Sequence, residues 1–427
     1  MQSLINTLKD KTTLKKIGWS LLLLLVFRLG LQIVAPGVDQ TAVKNLDLAG
    51  AFQLLDLLSG GGLSTLSILS LGVMPYITAQ IFTQILQSIE GTRFNEWSKQ
   101  GELGRNHLKH FSLALSFPLA LLQGVNTLLS FNQMTRHGAY ILHSNSNFQV
   151  MFLNALLISL SMAVASTALA WFAEYVTQHG ISNGPSLIIM VGILDRIPQS
   201  VKYFQVKTAK GVNSTLDLIN FSGTIIIFLL VILLIVFIQK SVYYIKLNRV
   251  NNPNENSKRN NLPLLLNGSG VIPVIFGSSI FATVQTLVSA LHVQNKLLEQ
   301  FFSFQAPQGI CLYGILIIIF TYFYSTIQEN PTEMAEMLQQ QNSLIPNIEP
   351  GAATEHYIAR QIYALDCPGS LYLAALAIIP MLAAILTGTP ENLILIGTSL
   401  LIVVTVLLEI ADRLGNVKIM NNYSGLF

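Results

Sequence analysis

From Ile225 to Ile238 the chain contains no polar residue, and the surrounding stretch Leu218–Ile238 is long enough to cross a bilayer as one helix. About 20 mostly apolar residues are needed to span roughly 30 Å of hydrocarbon, and a helix satisfies every backbone hydrogen bond there without water. Nine more candidate spans flank it: Ile17–Val34, Gly72–Ile89, Phe111–Phe131, Met151–Trp171, Pro185–Pro198, Val271–Leu291, Ile310–Ile327, Leu371–Leu386 and Leu393–Leu408. The fifth is short and bounded by glycine and proline. Only 11% of the residues are charged, against about a quarter in soluble domains. A soluble globular, disordered or coiled-coil chain is excluded, and the net charge of +3 is too small to suggest nucleic acid. The expected class is an all-α polytopic membrane protein with ten transmembrane helices.

No small-residue cleavage site follows the first span, so it is expected to remain a helix rather than a signal peptide. It carries Arg28, expected to snorkel to an interface or to face a polar interior. Lysine and arginine counts orient the bundle. With the N-terminus inside, the cytoplasmic segments hold 16 of these residues and the external ones 7. Both termini are therefore expected in the cytoplasm, with Arg196, Lys202, Lys207 and Lys210 as the dissenting external group.

Ala51–Ser70 is apolar but interrupted by Gly60, Gly61 and Gly62. Three consecutive glycines do not sustain a helix cheaply. Leu63–Ser70 has length for about two helical turns, and Gly72 and Pro75 then break the chain again. A segment hinged at both ends and too short to cross is either re-entrant or lies on the surface. Non-helical backbone at membrane depth requires protein or a water-filled cavity around it. The largest polar piece is 328–370. There Pro331, followed by Thr332 and Glu333, reads as a helix start, and Pro346, Pro350 and Gly351 force a rigid turn. Residues 249–263 read as a polar loop.

Catalytic signatures are missing: no phosphate-binding loop, HExxH or GxSxG occurs, and no histidine pair stands at i,i+4 spacing. Cys311 and Cys367 make no CxxC pair. No enzyme, cofactor or metal site is expected. Ionisable residues within the spans are nearly absent, apart from Arg28 and Asp195–Arg196 at the edge of the fifth. That argues against the rival reading, an ion-coupled secondary transporter with broken helices, because such carriers usually hold an acid or base at the midplane.

Several stretches resemble the SecY family of protein-translocase channels. They are Phe27-Arg28-x-Gly30, LLSGGGLSTLSILSLGVMPYITAQI (57–81), EWSKQGELGR (96–105), HGISNGPSLII (179–189), GSGVIPVIFGSSI (268–280), ENPTEMAEMLQQQNSLIPNIEPGAATEHYI (329–358) and GTSLLIVV (397–404). They occur in the family's order along nearly the whole chain. The resemblance implies two pseudo-symmetric five-helix halves, residues 1–210 and 211–427, around an hourglass channel with a lateral gate between the second and seventh helices. It makes 57–70 a re-entrant plug helix, with Gly60, Gly61, Gly62, Leu63, Leu66 and Gly72 as plug and hinge residues. It implies a pore ring of Val73, Ile77, Pro185, Ile189, Ile275 and Ile402. Pro185 departs from the family, where isoleucine is usual.

The resemblance also implies a SecA-like motor ATPase, SecE-like and SecG-like small membrane subunits or accessory Sec proteins, secretory preproteins and membrane lipid as partners. The expected location is the bacterial plasma membrane. The motor is expected to dock on the loop carrying Asn347, Glu349, Pro350 and Gly351. In IPNIEPG (345–351) Glu349 stands where the family has a motor-contacting arginine, and Ala352 where lysine is common. Asn106 and His107 replace further basic residues after GELGR. This pattern of a retained core and a reversed motor-facing charge resembles the accessory SecY paralogue of Gram-positive bacteria; drift in a housekeeping SecY is the competing explanation.

Overall fold

In a computed structural model, the structure describes residues 11–38, 56, 59–89, 91–134, 148–195, 229–249, 261–290, 300–302, 306–387 and 396–424. Both termini, the external basic group 196–210, plug residues 57 and 58, and most of the polar loop 249–263 lie outside these.

The described helices are α1 (Lys11–Gln32), α2 (Met74–Ser88), α3 (Arg93–Lys99), α4 (Gly101–Met134), α5 (Phe148–His179), α6 (Gly184–Asp195), α7 (Leu229–Gln239), α8 (Ile272–Ala290), α9 (Pro307–Gln328), α10 (Pro331–Gln340), α11 (Ala352–Thr387) and α12 (Ile396–Ser424). Among the described residues, four stretches are long and apolar enough to cross a membrane alone: Gly101–Leu128, Leu153–His179, Pro307–Gln340 and Ala352–Leu382. Gly184–Asp195, Leu229–Gln239 and Ile272–Gln285 are shorter apolar helices. The molecule is thus an all-α, multi-pass membrane protein.

Its helices pack in two groups. In the first, α5 and α2 lie against α4, and α1 lies against α5; in the second, α8 and α11 flank α9, and α12 lies on α11. The groups meet where α8 touches α2 and α4. Apolar side chains also cover the outside. Leu21, Leu25 and Leu29 on α1, and Leu229, Leu233 and Phe237 on α7, are exposed. In water such surfaces would aggregate; in lipid they are matched to their solvent.

Two small antiparallel pairings interrupt the all-helical expectation. Strands β1 (Val242–Lys246) and β3 (Asn261–Leu265) form a hairpin that brackets the polar loop. Strands β2 (Asn248–Arg249) and β4 (Ser343–Leu344) join that region to the 328–370 segment. Together with α10 and the start of α11 they enclose a separate apolar core of Ile245, Leu264, Leu338, Ile345, Ile358 and Ile362. The sequence reading assigned 249–263 as a loop and placed no strands beside it. The flanking run Val242–Lys246 is rich in β-branched and aromatic residues, the usual strand composition. The expected helix start at Pro331 is observed: Pro331 opens α10, and the Asn330 side chain caps it by accepting from the Thr332 amide at 3.2 Å.

Candidate functional site

Four of the six expected ring residues come together. Ile77 on α2, Ile189 on α6, Ile275 on α8 and Ile402 on α12 all belong to one buried apolar cluster, drawn from both helix groups. Val73 does not join it. It is buried instead with Phe27, Leu69, Tyr76 and Ile188 inside the first group. Pro185 is buried in the first turn of α6, where a missing backbone N–H costs no intrahelical bond. Across the junction of the groups, the Thr78 and Ser279 hydroxyls lie 3.4 Å apart. This is a polar contact between α2 and α8 within otherwise apolar surroundings.

The hinged segment corrects the expected plug helix. Instead of two helical turns, only one 3-10 turn forms, at Leu63–Thr65. Leu66 then adopts the left-handed conformation with φ 43°, which ends helical propagation. A single bridge to the chain after α1 follows: the Ile68 amide donates to Ile33 O at 2.9 Å, the Ala35 amide donates to Leu66 O at 3.0 Å, and Val34 bridges Ser67, after which residues 68–73 turn again. Backbone pairing with the end of α1 therefore replaces the second turn. Leu63 and Leu66 are buried against Ala120, Leu128, Ala155, Ile158 and Met162 of α4 and α5.

The glycines at the hinges are required by close approach. Gly60 has φ +85°, and a Cβ there would strike the Phe27 ring. The Gly60 backbone in turn lies against α6: a Cβ on Gly192 would fall 2.1 Å from Gly60 Cα. Gly72 has φ +55° and packs on the Ser59 backbone, while its carbonyl accepts from Ser166 Oγ at 2.7 Å. The segment is thereby held on four helices of the first group.

Polar groups at the helix ends are more organised than the sequence reading anticipated. Arg28 neither snorkels alone nor faces an empty interior. It makes a two-pronged ion pair with Asp195, Nη1 to Oδ2 at 2.9 Å and Nη2 to Oδ1, tying α1 to α6. On α5, Glu174 is 8% exposed. It accepts from Tyr76 Oη at 3.1 Å and pairs with Lys109 Nζ at 2.9 Å. Gln80 Nε2 donates to Tyr76 Oη at 2.9 Å, so α2, α4 and α5 share one network. The apolar windows missed Lys109 and Glu174 because each lies just beyond its span, on helices that continue further. The available signal was that both stand at the same end of neighbouring spans of opposite direction.

This network predicts an order of effects. Glu174→Gln keeps an acceptor for Tyr76 and should cost about 1 kcal/mol. Lys109→Met strands a buried carboxylate and should cost more, up to roughly 3 kcal/mol. Melting of the detergent-solubilised protein reads this; a Lys109→Met variant as stable as wild type would show that the pair holds nothing together.

In the 328–370 segment, the loop tip has a defined backbone shape. Asn347 has φ 64° and Gly351 φ +101°. The Thr354 hydroxyl donates to Glu349 O at 2.8 Å. Asn347, Glu349 and Pro350 are exposed, as are Glu333 and Glu336 on α10. Thr332 Oγ1 donates to Glu355 Oε1 at 2.8 Å, fastening α10 to α11. Among the described residues no cluster of His, Cys, Asp and Glu could hold a metal ion.

Comparison with known proteins accounts for this arrangement. Over 96% of this chain, the fold matches a solved structure described as a protein conducting channel, with TM-score 0.69, 19% identity and 93% of that chain covered. It matches equally far a SecY structure whose plug domain is described as stabilising the closed state and maintaining a membrane seal (TM-score 0.68, 19% identity, 93% of that chain). The Protein translocase subunit SecY of Bacillus licheniformis is 35% identical over 432 residues, covering 99% of both chains. Protein translocase subunit SecY 1 of Lactobacillus kefiranofaciens is 34% identical over 434 residues, again 99% of both. The SecY family profile matches residues 67–411, and this chain belongs to the SecY family.

Proposed function

We infer that this chain is the central subunit of a protein-conducting channel, moving unfolded polypeptides across a membrane and releasing apolar segments sideways into lipid. The observation that carries this reading is the cluster of Ile77, Ile189, Ile275 and Ile402, one residue from each of four helices and from both helix groups. A narrow apolar constriction dewets and so resists ions. Aliphatic side chains make no directional bonds, so they can seal around a passing peptide of any sequence. The channel has no energy source of its own, and directionality comes from a partner such as a SecA-like motor, with SecE-like and SecG-like subunits beside it.

The finer reading has ten transmembrane helices in two halves, 1–210 and 211–427, and both termini in the cytoplasm of a bacterial cell, as the 16-to-7 charge count favours. In this reading Pro185 joins these four isoleucines in the ring, Val73 packs with Phe27 and Tyr76 instead, 57–70 is the plug, and α2 and α8 form the lateral gate. We assign the chain to an accessory export system. Support comes from the docking loop: Glu349, Glu333 and Glu336 are exposed, and Arg360 is the one lysine or arginine in 328–370.

Ile402→Asn tests the channel. It places an amide in the apolar ring, where an unsatisfied polar group favours water. Ion conductance of proteoliposomes and acceptance of weak signal sequences should both rise. Unchanged conductance together with unchanged stringency would remove Ile402 from the constriction.

A further inference from the structure

We propose that Asp56 is the residue that positions the plug, by closing the glycine loop on which the plug turns; this rests on the reading of 57–70 as a plug. Asp56 is 0% exposed, a carboxylate wholly enclosed by protein. Its Oδ1 accepts from the Ser64 amide at 2.9 Å, eight residues ahead. Its backbone carbonyl accepts from the Gly61 amide at 2.7 Å and from Ser59 Oγ at 3.1 Å. One residue thus holds both sides of Gly60-Gly61-Gly62.

Those glycines lose more conformational freedom on ordering than any other residue type. Left alone, they favour the many states in which the turn is out of its seat. A buried carboxylate bonded to a backbone amide opposes this, because opening the loop breaks a charge-assisted hydrogen bond inside the protein. The bonds within the turn are short-range: Ser64 Oγ to Gly61 O at 3.0 Å and Thr65 Oγ1 to Gly62 O at 3.2 Å. Beyond it, the Ala35 amide on Leu66 O and the Ile68 amide on Ile33 O hold the far side to the chain after α1. Asp56 anchors the near side, where the glycines are, and so fixes where Leu63 meets α4 and α5.

The test uses the full-length chain in proteoliposomes, with Asp56→Ala, Asp56→Asn and, in a Cys311→Ser, Cys367→Ser background, Ser67→Cys as a reporter. Ser67 is 0% exposed, so an impermeant thiol reagent reaches it only when the turn leaves its seat. Asp56→Ala should raise both ion leak and Ser67→Cys labelling by roughly tenfold, the loss of one charge-assisted hydrogen bond. Asp56→Asn keeps an oxygen facing the Ser64 amide but loses the charge, so it should leak clearly less than Asp56→Ala, within about threefold of wild type. Asparagine leaking as much as alanine would overturn the proposal, since the acceptor would then not be what matters. Loss of assembled protein in Asp56→Ala, without leak, would assign Asp56 to folding and overturn it equally. Ile402→Asn is the control: if it leaks while Asp56→Ala stays tight, the proposal falls and the channel reading stands. If both stay tight, the channel reading falls as well.

Discussion

Gly192→Ala is expected to make the resting channel leak. One added methyl would lie 2.1 Å from Gly60 Cα and 2.8 Å from its carbonyl carbon. These are backbone atoms, so no rotamer change relieves the clash. Gly60 has little room to adjust, because the Phe27 ring also packs closely against it. Overpacking of this kind costs about 1–3 kcal/mol, and each 1.4 kcal/mol shifts an equilibrium about tenfold. The gain in helix propensity on replacing glycine, about 0.5–1 kcal/mol, works the other way but is smaller. The seated state should therefore lose population, with ion conductance rising about tenfold. Gly18→Ala on α1, where an added Cβ meets nothing within 4 Å, is the control and should leave conductance unchanged. Wild-type conductance in Gly192→Ala would show that Gly60 does not sit against α6 in the resting state.

Glu349→Arg is expected to exchange one motor for another. Asn347 and Gly351, both with positive φ, hold the tip in a shape that presents residue 349 outward. Arginine there would offer a planar fork of five donors for carboxylates and carbonyls, whereas glutamate only accepts. Juxtaposed like charges across an interface cost up to several kcal/mol. A motor built for arginine should thus bind wild type poorly and Glu349→Arg at least about tenfold better; the cognate motor should show the reverse. The difference should shrink with salt, since exposed charges are screened over about 10 Å at 0.1 M. Titrating housekeeping and accessory SecA against both channels in nanodiscs measures this. Equal affinities in all four combinations would return the chain to the housekeeping class.

Hydropathy made the spanning segments legible because hydrocarbon imposes one strong rule on every residue facing it. The runs that became α5, α9 and α11 needed little else. The residues proposed for the ring were legible only through motif resemblance, since Ile77 or Ile402 looks like any packed isoleucine. Val73 shows the limit: its place in the motif is right, yet its side chain packs with Phe27 and Tyr76. What the sequence hid depends on distant pairs. Asp195 gives no sign that Arg28, 167 residues away, lies opposite. The single turn at Leu63–Thr65 was hidden for a similar reason, because propensity favours more helix. The competing term is backbone pairing with Ile33 and Ala35, which exists only once α1 is in place.

The β2–β4 pairing has a mechanical consequence. Asn248–Arg249 and Ser343–Leu344 are laced together, so the two polar loops of the second group cannot be pushed independently. Strand β3 runs on through Leu266, whose amide donates to Ser241 O at 3.0 Å, and a few residues later becomes α8. The loop that carries the 349 tip is thus joined by this ribbon to the helix that touches α2. A partner that grips the loop would thereby pull on the junction where α8 meets α2.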